Sequence, residues 1–219
     1  NMEHADRRGS MVSALEALDQ LRKGNIEFTS NTCGPNKLFD STRRTELVKA
    51  QHPFAIVLGC SDSRVPIEHV FCQGLGALFV IRVAGNITAP SQVGSVELAA
   101  ERFGTKLVVV LGHSRCGAVM ETIEEIKRPT GKISRELKVI IDFVRPSVEG
   151  LLETEENYDL NALIAEAVRS NIRNSVNHLR YESKLLSRLI RDDGLLVVGA
   201  EYSLETGGVD FFDGVAKAV

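Results

Sequence analysis

The chain reads as an α/β protein built on a mostly parallel central β-sheet flanked by helices, and three observations predict this. Four short, unbroken apolar runs, Phe54–Leu58, Ala77–Ile81, Leu107–Leu111 and Leu195–Val198, are rich in β-branched residues and bounded by glycine. Such continuous runs are what strands buried on both faces look like. Segments of helical period lie between them, and strands alternating with helices close most simply as a parallel sheet. An apolar content of 43% over 219 residues is enough to fill the core of such a domain.

Taken in order, residues 1–10 (NMEHADRRGS) form a polar leader with no apolar signal core. The chain opens on Asn1, so a trimmed upstream segment stays open; the expected location is cytoplasmic, with an exported or organellar form as the alternative. From Met11 to Phe28, apolar residues at 12, 15, 18, 21 and 26 make one helical stripe. This stripe is either a lid on the core or an arm for a dimer. The sequence Cys33-Gly34-Pro35-Asn36 breaks it, and a more polar helix follows up to Ala50. Residues 1–50 therefore read as an N-terminal helical arm and 51–219 as the α/β domain. Helices are predicted over Gly94–Phe103, Ala118–Lys127 and Leu160–Leu179, the last with apolar residues at 160, 163, 164, 168, 172, 176 and 179. The tail Gly207–Phe212 could add an antiparallel edge strand.

Composition excludes several functions. A net charge of −3 leaves no electrostatic footprint for nucleic acid. No stretch reaches the roughly 20 apolar residues that span a bilayer. With no tryptophan and 5% aromatics there is no stacking platform. Four cysteines, at 33, 60, 72 and 116, are too few for a disulfide scaffold in a chain this long, and they read as reduced. Cys33 and Cys72 read as structural.

The chemistry gathers where two buried strands stop. The first run ends in Gly59-Cys60-Ser61-Asp62-Ser63-Arg64 and the third in Gly112-His113-Ser114-Arg115-Cys116-Gly117. Ligand sites of parallel α/β sheets form beyond the carboxyl ends of strands. If these two strands are neighbours, Cys60, Asp62, His113 and Cys116 converge. Two thiolates and an imidazole suit zinc and leave a fourth tetrahedral position open. Structural zinc ribbons draw their ligands in close pairs, whereas here the third ligand is 56 residues away, which favours a catalytic site. Arg64 could hold Asp62 in a bidentate pair beside the metal, or Asp62 could itself take the fourth position. A nucleophilic Cys60 is disfavoured, because Cys-x₃-Arg is not the Cys-x₅-Arg of a phosphate-binding loop.

These paired motifs resemble those of the β-class carbonic anhydrases. The similarity extends through Phe79–Asn86 (FVIRVAGN), Gly94-Ser95-Val96-Glu97 and Val198-Gly199-Ala200-Glu201-Tyr202. It implies one zinc ion per subunit bound by Cys60, His113 and Cys116, an Asp62–Arg64 catalytic dyad, and reversible hydration of CO₂ to bicarbonate and a proton by zinc-bound hydroxide. It also implies a homodimer or homotetramer, with the N-terminal helix over a neighbouring subunit. Gln51 and Phe79 match substrate-pocket positions. Arg82 and Tyr202 match two residues of a regulatory bicarbonate site found in some bacterial relatives, but Val57 stands where those have tryptophan. Leu98 replaces a frequent pocket tyrosine. Were Asp62 to close the site by ligation, exchange of carboxylate for hydroxide would open it as pH rises. His52 and His69 are the nearby candidates for a proton shuttle. Two other readings keep the same zinc site: a carbonyl sulfide or carbon disulfide hydrolase, and a non-catalytic zinc-holding regulatory protein.

Overall fold

The computed structural model describes residues 12–34, 41–129, 131–154 and 159–215. The polar leader and Pro35-Asn36 lie outside them. Among the described residues the elements run α1 (Ala14–Thr29), α2 (Ser41–Glu46), β1 (Ala55–Gly59), α3 (Ile67–Val70) and β2 (Leu78–Arg82), then a 3₁₀ turn (Ala84–Asn86). They continue with α4 (Pro90–Phe103), β3 (Leu107–His113), α5 (Gly117–Lys127), α6 (Arg135–Thr154), α7 (Leu160–Tyr181), α8 (Lys184–Asp193), β4 (Leu196–Tyr202) and β5 (Val209–Asp213). No helix among the described residues is long and apolar enough to cross a membrane.

The sheet order is β2-β1-β3-β4-β5; the first four strands are parallel and β5 closes the edge antiparallel to β4. All five residues of β1 and all seven of β3 are buried, because helices cover both faces. Alternation then sorts side chains by face. Ile56, Leu58, Val108, Val110 and Val197 pack with Val96, Val119, Val144 and Ile172 of the helices α4 to α7. Ala55, Val57, Val109, Leu111 and Val198 face the other way, onto Leu18 and Leu21 of α1 and onto Ile67, Val70 and Phe71.

The predicted strands and helices are present with shifts of a few residues, and the tail strand is there. The 20-residue α6, which carries Pro146 inside it, and the 10-residue α8 were not singled out by sequence. An interior proline reads as a helix break unless the freed carbonyl is satisfied elsewhere.

The first helix covers its own sheet. Ser13 and Glu16 form a reciprocal capping box at its start. Near its end the Asn25 side chain donates to the carbonyls of Val70 (3.1 Å) and Gly207 (2.9 Å) and accepts from Val209 N–H (2.9 Å). One buried amide thus ties α1 to α3 and to β5. Gly24 makes the approach possible: a Cβ there would lie 1.8 Å from the Phe71 carbonyl oxygen. Gly24→Ala is therefore expected to destabilise the chain by about 1–3 kcal/mol, read from urea midpoints, because backbone rather than a flexible side chain must move.

The reading of all four cysteines as reduced is corrected. Cys33, just beyond α1, and Cys72, just beyond α3, are joined in a disulfide with Cα atoms 5.8 Å apart. The packing of α1 against α3 brings together two loop positions 39 residues apart, a proximity that spacing alone does not display. Cys60 and Cys116 are free and buried.

Candidate metal centre

β1 and β3 are hydrogen-bonded neighbours with Gly59 opposite Leu111. Cys60 therefore leaves β1 at the level where β3 is about to deliver His113. The chain turns after His113 through Arg115, at φ +54°, and Cys116 caps the start of α5. One sulfur from β1, one ring nitrogen from the end of β3 and one sulfur from the head of α5 meet there. The Cys60, His113 and Cys116 ligand atoms all lie within 4.8 Å of one another, and all three residues are buried. A tetrahedral zinc ion with Zn–S bonds of ~2.3 Å would hold its sulfurs ~3.8 Å apart, so the cluster fits such an ion with little adjustment.

The polar accounting points the same way. His113 is completely buried, and its Nδ1 lies 2.9 Å from the Ser114 carbonyl, which it satisfies as a donor. That tautomer leaves Nε2 as a bare acceptor with no hydrogen-bond partner. A buried, unpartnered imidazole nitrogen is costly unless a cation meets it. The Cys116 thiol bonds to Cys60 and pulls the Cys60 pKa far down. The same contact, aided by burial, pushes Cys116 far up. Cys60 is also steadied by the Gly85 N–H, 3.4 Å from its sulfur. Burial lowers the pKa of His113, but the Cys60 sulfur, the Ser114 carbonyl and Asp62 outweigh it, and the net shift is upward. A dication with two thiolates would leave this buried cluster neutral.

Asp62 and Arg64 form the predicted pair. Asp62 Oδ1 accepts from the Arg64 backbone N–H and from Nε, each at 2.9 Å, and Oδ2 accepts from Nη2 at 2.7 Å. These bonds hold the Asp62 carboxyl well below the usual carboxylate range. Oδ2 stands 3.8 Å from His113 Nε2, at the rim of the cluster.

The remaining candidates are placed elsewhere. The Arg82 guanidinium donates to the carbonyls of Cys60 (2.9 Å) and Asp62 (2.6 Å), so it braces the loop between them. Tyr202 is buried against Phe28 on the opposite sheet face, and Val57 is fully buried there. Phe79 pairs in register with Ile56, four residues before Cys60 and hence ~13 Å back along the sheet, and its ring packs on Phe103. Gln51 lines a cavity of about 550 Å³ with Leu47, Leu75 and Phe103, and none of the three candidate metal ligands lines it. Leu98 is exposed. Sequence reasoning missed the Gly85 N–H donor to Cys60, whose signal was the glycine itself, at φ +72°.

A buried Cys-His-Cys cluster at the carboxyl ends of adjacent parallel strands, with a clamped aspartate at its rim, is the arrangement of an α/β metalloenzyme. The family model for carbonic anhydrase matches residues 55–209. The carbonic anhydrase of Mycolicibacterium smegmatis is 33% identical over 200 residues, covering 90% of this chain and 92% of its own length. Carbonic anhydrase 2 of Mycobacterium tuberculosis is 34% identical over 199 residues, with 90% and 91% covered. Among solved structures, a tetrameric β-carbonic anhydrase of Sordaria macrospora superposes with a TM-score of 0.71 at 22% identity, over 81% of this chain and 89% of its own. The chain belongs to the carbonic anhydrase family, in its β class, and is an enzyme of that kind.

Proposed function

We propose that this chain hydrates CO₂ reversibly to bicarbonate and a proton at one zinc ion per chain, held by Cys60, His113 and Cys116, with Asp62 and Arg64 as the catalytic pair. The observation that carries the reading is the orphaned His113 Nε2 facing two thiols, with the Asp62 carboxylate 3.8 Å away. Zinc in this set would supply Lewis acidity, which turns water into a nucleophile near neutral pH.

The protein's part is orientation. A carboxylate offers about four acceptor sites. Asp62 Oδ1 uses two on Arg64 and Oδ2 uses one, so the remaining site is on Oδ2, the oxygen nearest the cluster. Asp62 Oδ2 would accept a hydrogen bond from the attacking water there and so turn the water's lone pair toward CO₂. Arg64 keeps Asp62 ionised and holds it back from ligation, and Arg82 fixes the backbone on which both stand.

The enzyme works as a homo-oligomer in which a second copy packs along β2. That strand is one of the two edges of the sheet, and an unpaired edge is a template for pairing with another chain. Leu75, which lines the Gln51 cavity, is exposed, as are Val48 and Leu98. The Sordaria proteins are tetrameric. Gln51 and Phe79 act as pocket residues in that assembly, where they face the second copy rather than their own centre.

The test is the zinc-to-protein ratio of the purified chain together with stopped-flow CO₂ hydration, run beside hydrolysis of carbonyl sulfide. One zinc per chain with fast hydration supports the proposal. Tightly held zinc with no hydration, or sulfide release without hydration, overturns it in favour of one of the other two readings. Asp62→Asn is expected to keep its zinc and lose about a hundredfold in kcat/KM, because an amide nitrogen donates where a carboxylate oxygen accepted. Near-parental turnover in that variant contradicts the role given to Asp62.

A further inference from the structure

Two residues separate His113 from Cys116, and one carboxylate from the turn between β4 and β5 grips both. Glu205 Oε2 accepts from Ser114 Oγ at 2.8 Å, and Oε1 lies 3.3 Å from Arg115 Nε. The arginine pair is exposed and weak on its own. Ser114 is the firmer anchor, because it is fixed from three other directions. Its hydroxyl accepts the Leu204 N–H at 3.0 Å, and its own N–H donates to the Tyr202 carbonyl at 3.0 Å. Its carbonyl accepts from His113 Nδ1 at 2.9 Å. That last bond sets the tautomer and the direction of the ring. Arg115 meanwhile adopts φ +54°, a left-handed conformation costly to a residue with a Cβ, so the turn that brings Cys116 round needs external support.

We infer that Glu205 is a positioning residue of the metal centre, holding through Ser114 the peptide that aims His113 at the ion. The inference rests on the zinc reading proposed above. Partners of a ligating histidine tune metal affinity by about 10–100-fold, and here the partner is a backbone carbonyl whose placement depends on a side chain 91 residues away.

The experiment measures zinc affinity by competition with a chromophoric chelator, with the visible spectrum of the cobalt(II)-substituted protein as a second readout. Glu205→Ala and Ser114→Ala are each expected to weaken zinc binding by about tenfold and to shift the cobalt bands, and the double variant to lose little more. Glu205→Gln keeps an acceptor for Ser114 Oγ and is expected to recover most of the affinity. Ser203→Ala removes another bond to the same carboxylate, at 3.2 Å, without touching the ligand loop, and is expected to match the parent. Zinc affinity within about twofold of the parent in Glu205→Ala, with an unshifted cobalt spectrum, overturns the inference even if the urea midpoint falls. A parent chain that binds no zinc overturns the reading of the centre itself.

Discussion

Cys60→Ser is expected to leave a folded chain that retains almost no zinc after dialysis and hydrates CO₂ at the background rate, a loss of at least about a thousandfold. Cys60 is the sulfur whose pKa the neighbouring Cys116 thiol pulls down, so it is the readier thiolate of the pair. A serine hydroxyl does not ionise under these conditions and is a harder, weaker ligand for a borderline-soft ion. The remaining imidazole and thiol would have to hold the ion by themselves. The surroundings survive the exchange, since Arg82 bonds the Cys60 carbonyl rather than the sulfur, and β1 keeps its ladder to β2 and β3. His113→Ala and Cys116→Ser are expected to act in the same direction. Metal content, hydration rate and circular dichroism on one preparation decide the matter. A folded Cys60→Ser protein with a full zinc complement and parental turnover would remove the basis of the assignment.

The three candidate ligands and the Asp62–Arg64 pair were legible in the sequence for a physical reason. Strands buried on both faces must be unbroken apolar runs, so polar, ligand-bearing residues at their ends stand out, and the glycines around Cys60 and His113 mark where the backbone leaves the sheet. The structure adds that these strands are adjacent and that His113 presents a bare nitrogen. Less visible were contacts in which ordinary polar residues meet across long separations. Glu205 looks like any surface glutamate until the β4–β5 turn folds over Ser114. Asn25 sits on a helix that reads as a detachable arm, yet its amide bonds both Val70 and Gly207. Phe79 and Gln51 carry no local sign of where they face, since that depends on which edge of the sheet stays open.

Removing the Cys33–Cys72 disulfide, by reduction or in the Cys33→Ser/Cys72→Ala double variant, is expected to cost about 4 kcal/mol of unfolding free energy. A bridge between residues 39 apart closes a long loop in the unfolded chain, and opening it restores that chain's freedom. The enclosed segment includes β1 together with Cys60, Asp62 and Arg64, so the bridge bears on the stability of the region that supplies the centre. Catalysis at 25 °C is expected to persist. The Asn25 bonds and the contacts of Leu18 and Leu21 with the sheet hold α1 in place without the bridge, and Cys33 and Cys72 form a group separate from Cys60, His113 and Cys116. Thiol titration in guanidinium gives the direct check: two reactive thiols before reduction, from Cys60 and Cys116, and four after it. Four thiols in protein never exposed to reductant would show that the bridge does not form. An unchanged unfolding free energy in the double variant would show that the native packing of α1 on α3, rather than the covalent link, restrains the loop.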